Sequence, residues 1–141
     1  MLKVYLETSL LSQRMIERLK EKRQDVIFTV HKEDIETAEI LVCHPKFLEN
    51  TAMQLSAFKK LKWIQLLTSG YNLLDLNEIK KKNIQISNAR DVYSKPIAED
   101  VISKILYFNR NIKTYQEQQE KGIWRVEKVK HDLYESTVGI L

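Results

Sequence analysis

From Lys62 to Leu106 the chain reads as strand, glycine turn, short helix, strand, loop and long helix, and this order restricts the fold more than any other feature. Trp63-Ile64-Gln65-Leu66-Leu67 is a short apolar run that stops at Thr68-Ser69-Gly70. Ile84-Gln85-Ile86-Ser87 alternates apolar and polar residues, as a strand does, and stops at Asn88-Ala89-Arg90. Two strands joined through a helix belong side by side in a parallel sheet. Both then end in polar turns at their carboxyl ends, where open α/β sheets bind ligands. Gly70 is expected to take positive φ and to let a ligand come close to the amides of its turn. Ser94-Lys95-Pro96 reads as a capping residue with a proline close behind it in the first turn of the last helix.

The residues before this stretch repeat the pattern. Lys3-Val4-Tyr5-Leu6 is a strand, and Ser9 is placed to cap a helix carrying the stripe Leu10, Leu11, Met15, Ile16 and Leu19. Asp25 to Val30 is a second strand, His31 to Ala38 has room for one helical turn, and Glu39 to Cys43 is a third strand ending at His44-Pro45. Leu48 to Phe58 fits a helix with Leu48, Met53, Leu55 and Phe58 inward, and Leu73 to Lys82 fits a short one. Five strands alternating with helices predict an α/β domain of the flavodoxin-like kind, a doubly wound parallel five-stranded sheet. Lys95 to Gln119 then reads as one long helix whose Ile97, Val101, Ile105, Phe108 and Ile112 predict a buried face, with Gly122 as its C-cap. Glu135 to Leu141 reads as a turn entering a buried strand, Val138-Gly139-Ile140-Leu141.

Composition narrows the function classes. With 43% hydrophobic residues in 141, the chain is too apolar for disorder and long enough for a core. The net charge of +4 is spread through amphipathic segments, without the one-sided basic face with interleaved aromatics that a nucleic-acid partner requires. Lys59-Lys60-Lys62 and Lys80-Lys81-Lys82 read as helix ends, where cations complement the dipole. The single cysteine, Cys43, sits in an apolar run and reads as a small buried hydrophobe. No apolar run approaches the ~20 residues that span a bilayer, so a soluble, cytoplasmic protein without a membrane partner is expected.

Three ordered pieces carry a resemblance. Leu61-Lys62-Trp63-Ile64 leading into Thr68-Ser69-Gly70-Tyr71-Asn72, then Ile84-Gln85-Ile86-Ser87-Asn88-Ala89, then Ile97-Ala98-Glu99, resemble the NAD-dependent D-isomer-specific 2-hydroxyacid dehydrogenases, which include phosphoglycerate, glycerate and D-lactate dehydrogenases. Tyr71 and Ile97 depart mildly from the small residue and the valine more usual in that family. The resemblance implies a substrate-binding domain over residues 1–94, an interdomain helix over 95–122 and the start of a truncated nucleotide-binding domain over 123–141. It implies NAD as cofactor, a small 2-hydroxy or 2-keto acid as substrate, and a homodimer. The parent reaction would move a hydride between the nicotinamide and C2 of a D-2-hydroxy acid.

By the same resemblance, the backbone amides of Ser69, Gly70 and Tyr71 hold the substrate's carboxylate, and two amides in a glycine turn make a small anion site on physical grounds as well. Asn88 and Arg90 are the further candidate substrate contacts, Arg90 being equally well read as a solvated loop arginine. Ile97 is the candidate beside the nicotinamide, and Glu99 is explained equally by the family pattern or by the helix dipole. His44-Pro45-Lys46 corresponds loosely to a substrate-selecting loop. The family's catalytic His, its carboxylate and its Arg would lie beyond Leu141, so no catalytic residue is assigned to His31, His44 or His131. Cys43-His44 is a poor metal chelate because neighbours on a strand point to opposite faces. The dinucleotide fingerprint is absent: Gly70, Gly122 and Gly139 are the only glycines, and none are paired at the G-x-G-x-x-G spacing. The chain is therefore expected to be the N-terminal part of a longer dehydrogenase and inactive alone. The alternatives are a non-catalytic interaction or dimerisation domain left by truncation, and a receiver-like signalling module. The second is opposed by Cys43-His44 and a lone Glu7 where that module needs acidic residues.

Overall fold

The computed structural model describes residues 1–129, 132–134 and 136–139, which fall into two units, Met1–Asp91 and Val92–Leu141. The first unit is built on five parallel strands, β1 (Leu2–Leu6), β2 (Val26–Thr29), β3 (Ile40–Cys43), β4 (Trp63–Leu66) and β5 (Gln85–Ser87), in the order β2-β1-β3-β4-β5. That is the order of a flavodoxin-like doubly wound sheet. Its direction reverses at β1, which lies between β2 and β3.

Side-chain alternation sends each strand into two cores. Tyr5, Leu41, Cys43, Ile64 and Leu66 face one side, where they pack with Leu48, Leu55, Phe58 and Ile79. Val4 and Leu6 face the other and pack with Ile16. Helix α1 (Gln13–Lys22) therefore covers the second face. Helices α2 (Thr51–Ser56) and α3 (Leu76–Lys81), with the 3-10 turn at Pro45–Leu48, cover the first. On β4 and β5 the α1 side is polar: the Trp63 indole donates to Ser87 Oγ at 2.8 Å, and that hydroxyl donates to Gln65 Oε1 at 2.6 Å. Trp63 is 38% exposed.

Several local readings shift. Ser12, not Ser9, caps α1, its Oγ accepting from the Met15 N–H at 3.4 Å. Ser9 is unavailable because its hydroxyl donates to Glu7. Leu10 and Leu11 consequently precede the helix, and Leu10 and Met15 are exposed, so the buried stripe narrows to Ile16 with Leu19. His31 to Ala38 forms a 3-10 helix at Lys32–Thr37. Met53 points to solvent, since the expected helix over 48–58 splits into the Pro45–Leu48 turn and the short α2. Lys59 and Lys62 do not terminate a helix but pair with Glu36 and Glu39, whereas Lys80 and Lys81 do lie in the last turn of α3.

The second unit holds α4 (Ser94–Asn109) and α5 (Ile112–Glu120), so the expected single helix over 95–119 is broken. Asn111 is the cause, with φ of 52°: it stands just past the α4 C-cap Arg110, and its carbonyl accepts the Tyr115 N–H at the start of α5. Asparagine is among the few side chains that tolerate this left-handed conformation. Pro96 lies inside α4, and Tyr93 rather than Ser94 holds its cap position. After α5, Gly122 takes φ of 62° and closes a Schellman motif, its N–H reaching Gln119 O and that of Ile123 reaching Gln118 O.

The chain then runs back along α5. The Glu127 N–H donates to Tyr115 Oη at 2.9 Å, and the Gln118 amide donates to the Glu127 carboxylate at 2.6 Å. Contrary to the expected buried face, Ile97, Val101, Phe108 and Ile112 are exposed, as is Trp124 at 97%. Gln118 is the one buried side chain among the described residues of this unit. Two helices and one extended segment have too little depth to enclose an apolar core. Of the strand expected over 138–141, Val138 and Gly139 form no ladder, while Ile140 and Leu141 lie outside the described residues, as does His131.

Candidate functional site

The carboxyl ends of β4 and β5 place two turns against one another. The ladder continues past β4, the Leu67 N–H donating to Cys43 O at 2.9 Å. Beyond it, the Ala89 N–H donates to Thr68 O at 3.1 Å, Ser69 Oγ donates to Ala89 O at 3.2 Å, and the Asn88 amide donates to Ser69 O at 2.8 Å. Ser69, Gly70 and Asn88 are thus brought together in one bonded pair of loops. Tyr71 follows directly and is 52% exposed.

Gly70 departs from expectation. It is absent from the left-handed region, and a Cβ built on it meets only Asn72 Oδ1, at 3.4 Å. Neither its own φ nor crowding requires glycine here. Positive φ in this region falls instead on Asp91, at 62°. Arg90 is solvent-exposed, its guanidinium 3.7 Å from the Asp91 carboxylate, so its charge is partly answered by its neighbour. Ile97 lies on α4 in the other unit and is exposed.

A cavity of about 290 Å³ lies beside the paired loops, lined by Leu66, Tyr71, Leu76, Ile86, Ser87 and Asn88. Its wall is fixed from below by α3. Asp75 caps that helix, its carboxylate accepting from Asn77 N–H and Glu78 N–H, and its own N–H donates to the buried Thr51 Oγ1 at 3.0 Å. A second cavity, of about 370 Å³, lies between the ends of β1 and β3 and is lined by Glu7, Ser9, Leu10, His44, Lys46 and Phe47. Sequence reasoning gave neither Glu7 nor Ser9 a place in a site, reading Ser9 as a helix cap and Glu7 as a lone acidic residue. The Glu7 carboxylate accepts from Ser9 N–H and Ser9 Oγ, both at 2.7 Å, and from His44 N–H at 3.3 Å. A larger cavity of about 680 Å³ lies in the second unit against Tyr115, Ile123 and Trp124 and contains none of the candidate residues.

Among the described residues no three His, Cys, Asp or Glu side chains gather to hold a metal ion. Cys43 is fully buried, and burial, then the charge of Glu7, pushes its thiol up to about 12. No helix among the described residues is long and apolar enough to cross a membrane.

Comparison with known proteins assigns this architecture. The chain is 35% identical over 118 residues to the formate dehydrogenase of Chaetomium thermophilum, which covers 76% of this chain and 31% of that protein. It is 28% identical over 92 residues to the D-3-phosphoglycerate dehydrogenase of Haemophilus influenzae, covering 64% of this chain and 22% of that one. The chain thus spans about a third or less of the length of these curated relatives. The D-lactate dehydrogenase of Aquifex aeolicus, solved with NAD and lactic acid, superposes with a TM-score of 0.65 at 21% identity over 89% of this chain and 39% of that one, a likeness of fold. The model of the D-isomer specific 2-hydroxyacid dehydrogenase catalytic domain matches residues 4–131, and the chain belongs to that family.

Proposed function

We propose that this chain is the substrate-binding part of an NAD-dependent oxidoreductase that moves a hydride between the nicotinamide and C2 of a D-2-hydroxy acid. The observation that carries this reading is the bonded pair of loops at the ends of β4 and β5. There the amides of Ser69, Gly70 and Tyr71 form the binding place for the acid's carboxylate, with Asn88 fixing the loop and Arg90 adding positive potential. The relatives' names support a carboxylate as the shared recognition element, since formate and 3-phosphoglycerate both carry one.

The nucleotide's phosphates find no cradle in this chain, because its glycines stand one at a time and not in the run that a pyrophosphate needs. The part played by these residues is therefore binding and orienting the acid, with Ile97 the one position assigned to contact the nicotinamide. The division into a substrate-binding domain over 1–94, an interdomain helix over 95–122 and the start of a nucleotide-binding domain over 123–141 belongs to the same proposal, as does a cytoplasmic location. Mixing the 141-residue chain with NADH and a 2-keto acid should give no turnover, and turnover would overturn the assignment of the catalytic groups to residues outside this sequence. Titrating the chain with pyruvate should shift the amide resonances of Ser69, Gly70 and Tyr71, and no shift there would overturn the site.

A second reading rests on the exposed Ile97, Val101 and Phe108 of α4 and on Trp124. Exposed apolar groups recruit partners, and here the partner is a second copy of the chain. Light scattering on a sizing column should return a dimer, and a clean monomer at high concentration would count against it.

A further inference from the structure

Three consecutive N–H groups, those of Ser69, Gly70 and Tyr71, donate to no acceptor among the described residues. The residue that supplies the last of them, Tyr71, also forms a wall of the cavity of about 290 Å³. So does Asn88, whose amide holds the Ser69 carbonyl. A ligand seated on these amides therefore has the cavity as its immediate neighbour. The cavity lies on the β5 side of β4, at the edge of the sheet, and β3 with its His44-Pro45-Lys46 loop lies on the other side of β4.

Its walls offer carbon and little else. Leu66, Leu76, Ile86 and the Tyr71 ring are apolar. The two polar walls are already engaged within the protein: Ser87 Oγ accepts from the Trp63 indole and donates to Gln65 Oε1, and the Asn88 amide donates to Ser69 O. No charged side chain lines the cavity among the described residues, so a second charge on a ligand would lose its water there without gaining a partner. Tyr71, Leu76 and Ile86 are exposed, and a carbon chain laid between them takes apolar surface of both partners out of water. A volume of about 290 Å³ is at the lower end for ligand pockets and has room for a leucine-sized group. Formate, with no carbon beyond its carboxylate, would leave it empty.

We propose that this cavity is the subsite for the carbon chain beyond C2, with Tyr71 and Leu76 as its specificity-determining walls, and that it selects a 2-oxo or 2-hydroxy acid with an uncharged, branched aliphatic side chain. This rests on the reading that the Ser69–Tyr71 amides hold the acid's carboxylate. The test titrates pyruvate, 4-methyl-2-oxopentanoate and 2-oxoglutarate into the 15N-labelled 141-residue chain. A fully enclosed carbon tightens binding by roughly fourfold. With the walls part-exposed, the added branch predicts about tenfold tighter binding of 4-methyl-2-oxopentanoate than of pyruvate. Shifts should appear at Leu76 and Ile86 as well as at Ser69–Tyr71, and 2-oxoglutarate should bind no tighter than pyruvate. Tyr71→Ser and Leu76→Ser, both at exposed side chains, should each bring the preference to within about threefold, with the rest of the amide spectrum in place. Equal affinities for pyruvate and 4-methyl-2-oxopentanoate in the unmutated chain would overturn the subsite and leave the carboxylate site standing. So would a preference that survives both substitutions, or tightest binding of 2-oxoglutarate. No shift at Ser69–Tyr71 with any of the three acids would overturn both.

Discussion

The side-chain amide of Asn88 donates to the carbonyl of Ser69 across 2.8 Å, so the turn after β5 holds the turn after β4 in place. A loop bonded in this way keeps its amides oriented before any ligand arrives, which lowers the ordering cost of binding. Asn88→Ala should therefore cost about 1 kcal/mol of stability and weaken 2-keto acid binding. The check is urea unfolding alongside a titration followed at the Ser69 and Gly70 amides.

Thr51 makes a different kind of join. Its buried hydroxyl donates to Leu48 O at 2.7 Å and accepts the Asp75 N–H at 3.0 Å, linking α2 to the cap of α3. Thr51→Val keeps the shape but strands the Asp75 N–H. Urea denaturation should show a loss of about 1–3 kcal/mol, and a change near zero would mean that water replaces the hydroxyl.

Asn83 closes α3 with φ of 53°, its N–H donating to Lys80 O and that of Ile84 to Ile79 O. Replacement by glycine should leave stability level or slightly raised, whereas Asn83→Ala should lower it by about 1 kcal/mol. Thermal melts of the two variants, run side by side, give the sign.

The Cys43 thiol, pushed up to about 12, carries almost no thiolate at neutral pH and is fully buried. Alkylation needs the thiolate. Iodoacetamide at pH 8 should leave the native chain unmodified over hours and label it within minutes in urea, as read by mass spectrometry.

Asp34 sets an acid limit. Hydrogen bonds from Lys3 Nζ at 2.8 Å and Thr29 Oγ1 at 2.6 Å hold its carboxyl below the ordinary 3.8. Because the folded value is the lower one, the stabilisation is fully present above about pH 4 and is lost as pH falls through the folded value. Asp34→Asn should be less stable at pH 7 and should lose less stability than the parent between about pH 4 and pH 2, which chemical denaturation at each pH will show.

Four strands were legible as short apolar runs bounded by polar turns and β5 by its alternation, and Ile16, Leu41, Cys43 and Leu66 are buried as their spacing requires. Bounds were less legible where two residues compete for one role. Ser9 and Ser12 are equally good caps in isolation, and only the carboxylate of Glu7 decides between them. The break at Asn111 had a signal in Asn109-Arg110-Asn111, outvoted by the apolar spacing of Val101, Ile105, Phe108 and Ile112. The Glu7–His44 contact was invisible because it joins positions 37 apart that meet only once β1 and β3 pair.

The two tryptophans divide between the units, Trp63 on β4 with its indole bonded to Ser87 and Trp124 after α5 with its ring almost wholly in water. The chain therefore carries its own pair of optical labels. With its ring 97% exposed, Trp124 should already emit as indole does in water, so a red shift during denaturation should report the sheet alone. A blue shift on raising the concentration reports the covering of the helical unit.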